Sequence, residues 1–434
     1  MKKSIIHSFS IFSLENLFLF VCIFYSAGAI SFYSSPWGYA LLLLLSLFSI
    51  KKFNINVKLF IALSVWSLYC IAIVLYYGDY RLTFNHFVRF FTLIVASYAL
   101  ISKYGYSLFY RFEKIIVFLA KISLLFWIWM ILHKNSLLYV GSIFSIGNSA
   151  NNPDRMSEFY YVLLYTIEYF SYHTTLIPRN YGFCIEPASF AAFLVFTLFF
   201  NILRNDGIKA KDNSDLLILL FALLTTQSTT GIVTFMIFVM YYMLFRRGFS
   251  INKIFTFVII FTVFIAASIY LDFLLPKIEQ EYLGLKNFER LKNMSHEDMR
   301  FSAGRFGGFI IGWNDIISHP ILGIGANGNR SFAHQGGASL MNTNGFAGLM
   351  SLFGLFGLTL YFYLTTKTSV FISRFYRAKI PLGLLIIFTF ILFGTGIYRA
   401  VIFFAIMMYG YFIPTHIIDY PEDDKCLHNV KDHN

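Results

Sequence analysis

Residues 179–200 read RNYGFCIEPASFAAFLVFTLFF. The stretch turns from polar to apolar at one dipeptide, Glu186-Pro187. Pro187 suits the first turn of a helix, because the N–H it lacks has no partner there. Glu186 then lies at the helix N-terminus, where the dipole favours a negative charge. No charged residue occurs in the seventeen positions 187–203, close to the ~20 apolar residues a helix needs to cross a bilayer. The reading is a membrane helix introduced by an acid, with an arginine, Arg179, seven residues before it.

The rest of the chain repeats the pattern. Its 434 residues are 58% hydrophobic and 20% aromatic, and only 13% are charged. A globular chain is about 45–50% apolar and about 25% charged, so a soluble domain could not hide this much apolar surface. A β-barrel would show short alternating segments instead of long apolar runs. The class is an all-α polytopic membrane protein. About twelve spans are expected, near 14–33, 37–50, 57–77, 84–101, 115–132, 187–203, 214–227, 230–246, 253–274, 343–364, 380–395 and 398–414. The whole chain reads as one integral membrane domain. The first apolar run reads as a retained helix, because no small-residue cleavage site follows it.

The formal charge of +12 does not point to nucleic acid, because the Lys and Arg residues sit in small clusters between apolar runs. Lys51, Lys52 and Lys58 flank one connection; Lys103, Arg111 and Lys114 flank another. Arg204, Lys209 and Lys211 follow, then Arg246, Arg247 and Lys253, then Lys367, Arg374, Arg377 and Lys379. Every second connection is basic, which puts those connections and both termini in the cytoplasm. The tail 415–434 is polar. The four cysteines are scattered without metal or disulfide spacing, and neither a metal nor a cofactor is expected.

Two connections on the opposite face are long, 133–186 and 275–342, and both are expected to be periplasmic. The first contains SEFYYVLLYTIEYFSYH, whose aromatics suit a helix lying in the interface. The second ends in RFSAGRFGGFIIGWNDIISHPILGIGANGNRSFAHQGGASLMNTNGFAGLMSLFGLFGL. Arg300 and Arg305 have guanidinium forks that match phosphate oxygens, and Arg179 is a third candidate for an anionic group. The bland readings are an interfacial anchor for Arg179, a helix-terminal acid for Glu186 and ordinary turns for the glycines. His319, followed by Pro320, reads more simply as structural than catalytic. His334 and Asn344 lie near the start of the next span.

These residues carry a resemblance. Arg305, then His319-Pro320-Ile321-Leu322-Gly323-Ile324-Gly325, then Asn344, then Gly354-Leu355-Phe356-Gly357 resembles the C-terminal signature of bacterial O-antigen polymerases and ligases. PRNYGFCIEPASFAAF is similar to their earlier loop end, and STTGIV at 228–233 to their mid-chain polar break. The signatures touch about 100 residues, and the span plan matches along the chain. Ligases carry a His before the Asn that aligns with Asn344; here Thr343 stands there, which favours a polymerase.

The resemblance implies a GT-C-like architecture in a bacterial inner membrane. It implies a polymerase that joins undecaprenyl-diphosphate-linked oligosaccharide units at the periplasmic face. Arg179 and Arg305, with Arg300, would bind the diphosphate. Glu186 or His334 would act as base, and His319 and Asn344 would contact sugar. Membrane lipid and a chain-length regulator are the expected partners, and nucleic acid is not one. An O-antigen ligase is the nearest alternative. A lipid-linked oligosaccharide flippase is the alternative from another class, but its ionisable residues would line several spans, whereas here they gather in two loops. The topology has a direct check. A single cysteine at position 160 or 295 should react with an impermeant thiol reagent added from the periplasm, and reaction at both positions only after membrane disruption would reverse the orientation.

Overall fold

A computed structural model describes residues 13–28, 35–50, 56–145, 157–162, 164–171, 177–208, 213–246, 300–302, 304–337, 339–341 and 344–413, with 262, 279, 281–283, 285 and 286. The expected span 253–274 lies outside these residues apart from Thr262. Thr343, the tail and the basic residues Lys51, Lys52, Lys209, Lys211, Arg247 and Lys253 lie outside them too.

The described chain is mostly helical. In order come α1 (Leu14–Ala27), α2 (Pro36–Ser49), α3 (Val57–Tyr77), α4 (Tyr80–Tyr104), α5 (Ser107–Leu132) and α6 (Lys134–Phe144). A hairpin follows, β1 (Ser157–Val162) and β2 (Tyr165–Ser171). Then come α7 (Pro187–Arg204), α8 (Ser214–Thr225), α9 (Thr229–Arg246), β3 (Arg300–Ser302) and α10 (Gly304–Ser318). Last are β4 (Ser339–Met341), α11 (Gly345–Phe375), α12 (Gly383–Gly394) and α13 (Val401–Phe412). Six helices are long and apolar enough to cross a membrane: α3, α4, α5, α7, α9 and α11. This is a multi-pass membrane architecture. Five others, α1, α2, α8, α12 and α13, are apolar but only 12–14 residues long. At 1.5 Å per residue that is about 18–21 Å, short of a ~30 Å hydrocarbon core.

Helix α7 is the hub. From Phe190 to Leu203 only Thr197 and Asn201 interrupt its apolar run, and all of these positions are buried. Phe193 packs on Phe183 and Phe403, Phe196 on Phe388, and Phe200 on Phe109. A helix that is apolar on every face is one that neighbours surround.

The two ends of the bundle differ chemically. At one end α4, α7, α9 and α11 each finish with a basic residue in the last turn. Several of these charges are paired. Arg204 holds the buried Glu113 with two hydrogen bonds, of 2.6 and 3.0 Å. Lys114 pairs with Asp215 at 2.8 Å, and Arg246 pairs with Asp206.

The segment 157–171 corrects the interfacial helix expected there, because it is an antiparallel hairpin with a bulge between Glu158 and Phe159. The alternation of its side chains explains the outcome. Phe159 and Tyr161 pack with Tyr181 and Ile185, while Tyr165 and Ile167 pack with Met130 and Leu137, with Tyr160 and Val162 against them. Two apolar surfaces on opposite faces need a period of two, and a helix would bring only one of them to a partner.

Helix α11 is broken where the second loop docks on it. Gly354 has φ 58° and ψ −151°, a region open to glycine alone. The break frees backbone groups inside an apolar bundle, and HPILGIG pairs them. The carbonyls of Pro320 and Ile321 accept from the N–H groups of Leu355 and Phe356 at 2.8 and 3.2 Å. The Ile324 N–H donates to Ser351 O at 2.8 Å, and the Tyr69 hydroxyl reaches Leu322 O and Leu352 O at 2.8 and 3.1 Å. Gly323 (φ 66°) and Gly354 lie back to back, and a Cβ on either would come within 2.6 Å of the other's backbone nitrogen. Gly354→Ala should therefore cost about 3 kcal/mol or more, combining the 1–3 kcal/mol of a disallowed conformation with a backbone clash. Gly78 also has positive φ, but nothing lies within 4 Å of its Cβ position, so Gly78→Ala should cost only about 1–2 kcal/mol. Thermal unfolding of the purified protein in detergent checks the difference; equal losses at the two positions would contradict the docking.

Candidate functional site

The stretch 179–186 folds over the polar break between α8 and α9. Asn180 is buried completely. Its backbone N–H donates to Thr225 O at 2.9 Å, and its amide donates to Thr225 Oγ1 at 3.0 Å and Ser123 Oγ at 3.3 Å. Its side-chain oxygen accepts from the Gly182 N–H at 3.0 Å. Gln227 Nε2 donates to Ile177 O at 2.9 Å, and Trp127 Nε1 donates to Pro178 O at 2.7 Å. Two features noted separately in the sequence, PRNYG and the STTG break, are thus one docked unit. Arg179 stands at its edge, half-buried, with Nε 3.4 Å from Thr226 O.

The hairpin closes over this unit from the other side. The Thr166 N–H donates to Gly182 O at 2.7 Å. Glu168 pairs across the strands with Phe159, on the face toward Tyr181. Burial pushes the Tyr181 phenol up, and Glu168, to which it is hydrogen-bonded, adds to the shift; Arg179 opposes it and Glu186 reinforces it. Glu186 is exposed at the N-cap of α7, and its side chain caps no backbone N–H.

The second loop arrives at the same place. Helix α10 begins at Gly304, whose φ of +65° brings it against Glu281. The Glu281 carboxylate accepts from the N–H groups of Arg305 and Phe306 at 2.7 and 3.3 Å, satisfying free donors of the first turn. Asn344 is buried at the N-cap of α11. Its amide donates to Arg305 O at 3.0 Å, and its oxygen accepts from the Ala347 N–H at 3.0 Å. Helix α7 joins them through Thr395, whose hydroxyl lies 3.4 Å from Ser189 Oγ; a Cβ at Gly345 would come within 2.5 Å of Thr395 O. The N-termini of α7, α10 and α11 therefore meet, and each contributes partial positive charge.

Arg305 binds this geometry together. Burial lowers its pKa, the charge of Glu281 opposes that shift, Arg179 adds to it and Glu186 opposes it. Arg179 and Glu186 both act electrostatically on Arg305, which lies more than a hundred residues further along the chain. Among the described residues, no carboxylate forms an ion pair with the guanidinium of Arg179 or Arg305. Two guanidiniums with no carboxylate ion pair among the described residues, beside three helix N-termini, have the chemistry to hold an anion with several oxygens.

The remaining expected residues fall elsewhere. Arg300 is in β3, paired in parallel with β4. His319 lies at the other end of α10, about 21 Å along the helix from Arg305 at 1.5 Å per residue. Its ring is 5.8 Å from that of Tyr77, and its Nδ1 is buried without a partner. His334 is exposed, on a short turn of helix after Ser331 and Phe332. That turn is held by the buried Asp315, which accepts from Ser331 Oγ at 2.7 Å and the Phe332 N–H at 2.6 Å. Beside it, Arg330 pairs with Asp79 and stacks 3.9 Å over the Tyr77 ring. The histidines thus belong to a second group, separate from the arginines. Glu168, Tyr181, Glu281 and Asp315 were not among the expected site residues. Only Asp315 carried a signal, as the one acid in an apolar helix whose only other charge is Arg305.

No family model matches the chain, and no curated protein matches it. The resemblance rests on the quoted motifs.

Asn180 is the pin of the Arg179 loop. Asn180→Ala would leave buried partners unpaired, at about 1–3 kcal/mol. A lowered melting temperature together with faster amide exchange over 177–185 is expected, and unchanged exchange there would show that the loop is held by other means.

Proposed function

We propose that the chain is a polysaccharide polymerase acting on lipid-diphosphate-linked oligosaccharides at the outer face of a bacterial inner membrane. The observation that carries this reading is the meeting of Arg179, Glu186 and Arg305 from two separate loops. The arrangement suits a charged leaving group next to an acceptor hydroxyl. The motif order supports the same reading.

The reaction transfers the growing glycan. The bond from its anomeric carbon to the diphosphate oxygen breaks, and a bond to the acceptor hydroxyl oxygen forms. The lipid diphosphate leaves with the bonding electrons, and the hydroxyl proton passes to a base. Arg179 and Arg305 hold the diphosphate and stabilise the charge that grows on it; such preorganised donors act where charge develops. Glu186 is the base in this assignment, because it is exposed and acts on the same arginine. Glu281 is less suited, since its carboxylate caps α10. Asn344 and Thr395 keep the three helix starts together. Arg300 is a further phosphate contact, and His319 and His334 serve a different part of the substrate, the glycan, in their own group. The basic end of the bundle faces the cytoplasm in this reading, in accordance with the positive-inside rule. A chain-length regulator is the proposed protein partner.

The test is a complementation series in a strain lacking the gene, read as the polysaccharide ladder. Lys keeps the charge but loses the bidentate fork, so Arg179→Lys and Arg305→Lys should each lose most of the long-chain product. Glu186→Gln should lose about 10²–10⁴-fold in rate, the usual cost of removing a general base, while His334→Ala should keep more activity. Each impaired strain should carry single repeats attached to lipid A core. Bare core would identify a ligase, loss of the periplasmic intermediate a flippase, and wild-type ladders from both Lys variants at normal expression would remove the diphosphate assignment.

A further inference from the structure

Helix α10 is inside out for a segment of a water-exposed loop. Its buried positions are Gly307, Gly308, Ile311, Gly312, Asp315 and Ile316. Its exposed ones are Phe306, Phe309, Trp313 and Ile317, with Ser318 at the end. The four large apolar residues follow one another at intervals of three, four and four, which is one face of a helix. Ile321, just beyond, continues the stripe, and the five side chains are 36–68% exposed. An amphipathic helix in water turns its apolar face to the protein. Here three glycines and an acid lie on the inner face, and the aromatic rings lie on the outer one. Single exposed apolar residues are ordinary, but a contiguous stripe marks a surface that something covers. Composition does not mark α10 as a span, because the glycines and polar residues of the inner face dilute the outer stripe.

Two helices give the depth of the loop that follows α10. At the basic end, Lys58 Nζ donates to Ile413 O at 2.9 Å, and Lys367 lies 5.3 Å over the Tyr411 ring, whose hydroxyl donates to Lys58 O. The two lysines therefore mark one level. On α3, Tyr69 is about 17 Å beyond Lys58 and Tyr77 about 29 Å beyond it, at 1.5 Å per residue. Their hydroxyls donate to Leu322 O and Gly323 O at 2.8 and 2.7 Å. On α11, Gly354, against which Gly323 lies, is about 20 Å from Lys367 along the unbroken part of the helix. Against a ~30 Å hydrocarbon core, both helices put HPILGIG in the half away from the basic end.

The backbone of the loop fits that depth. The carbonyls of residues 320–324 accept in succession from the Leu355 N–H, the Phe356 N–H, the Tyr69 hydroxyl, the Tyr77 hydroxyl and Arg330 Nη1. A loop in water needs no such succession, whereas non-helical backbone at membrane depth is tolerated only where the protein pairs it. The apolar stripe also runs on into a membrane-facing surface. The rings of Phe306 and Phe309 lie 5.7 and 6.4 Å from that of Phe393 on α12, and Phe390, one turn earlier on α12, is exposed as they are. We propose that α10 and HPILGIG form a re-entrant segment, with Phe306, Phe309, Trp313, Ile317 and Ile321 against acyl chains of the leaflet opposite the basic end. Part of the second loop then lies within the bilayer, where the sequence places all of 275–342 outside it. The proposal rests on the multi-pass architecture and not on the proposed glycan chemistry.

The test uses the full chain in vesicles of dioleoyl phosphatidylcholine and dioleoyl phosphatidylglycerol. Cys426→Ser removes one native thiol, and Cys22, Cys70 and Cys184 are buried, so that a nitroxide spin label goes to an introduced cysteine. Trp313→Cys, Ile317→Cys and Ile321→Cys are labelled one at a time. Leu360→Cys, exposed on the apolar part of α11, is the lipid reference, and His334→Cys, exposed on the second loop, is the water reference. Collision rates with oxygen, which concentrates in the bilayer, are compared with those of a water-soluble nickel chelate. The ratio of oxygen to nickel collisions at 313, 317 and 321 should match that at 360 and exceed that at 334. A ratio like that at 334 would mean that water covers the stripe. Exclusion of both reagents would mean that protein covers it, from a second copy or from this chain. Either result would overturn the proposal. If the labelled variants do not fold, wild type and Trp313→Phe are compared in vesicles whose acyl chains carry bromine. The emission contributed by Trp313 should be quenched there relative to unbrominated vesicles, and unquenched Trp313 emission would equally overturn the proposal.

Discussion

A backbone N–H or C=O in an apolar bundle must find a partner within the protein, and that constraint organises this molecule. A straight α11 would satisfy it alone. With Gly354 in a conformation open only to glycine, the ladder is interrupted, and donors and acceptors appear in mid-helix. HPILGIG fills them by lying along the break, and Tyr69 from α3 takes a remaining carbonyl. A segment of extramembrane loop is thus built into the helical body. The break between α8 and α9 works the same way, with Asn180 donating to Thr225 Oγ1 and Gln227 donating to Ile177 O.

These two docking points decide where the charged residues stand. The first fixes the C-terminal end of α10, so that the helix can run back along the start of α11, where a Cβ at Gly312 would come within 2.9 Å of Ala347. Arg305 is thereby carried to Asn344. The second fixes the chain just after Arg179 and so sets where Glu186 starts α7. Arg305 and Glu186 meet because both breaks are satisfied. The glycines serve close approach more than flexibility.

Much of the helical plan was legible in the sequence. Charge-free apolar runs translate directly into helices, and α3 runs over the same residues as the span expected at 57–77. Pro187 and Glu186 marked the start of α7 through elementary capping chemistry. The hairpin was not legible as one, because its aromatics fit either a period of two or a wide helical face, and only the two packing surfaces select between them. At the site, the arginines and Glu186 were readable as charges out of place beside apolar runs. Glu281 was not, since it lies in a charge-rich stretch where one acid resembles the next. Asn344 was noted for its position in a motif; its cap on α11 and its bond to Arg305 O emerge only once α10 is folded against α11.

The two ends of the bundle also handle charge differently, and the difference bears on what the site can do. At the basic end, Glu113 is buried and fully engaged by Arg204 and Asn201, so the cation there is neutralised by the fold itself. At the other end Arg179 stands near Arg305, whose positive charge burial and then Arg179 make less favourable. Glu186 and Glu281 offset part of this repulsion without forming an ion pair. A site built this way keeps some electrostatic strain in the free protein. A doubly charged anion placed between the guanidiniums would relieve it, and as negative charge grows on such a group during bond cleavage the relief would grow with it.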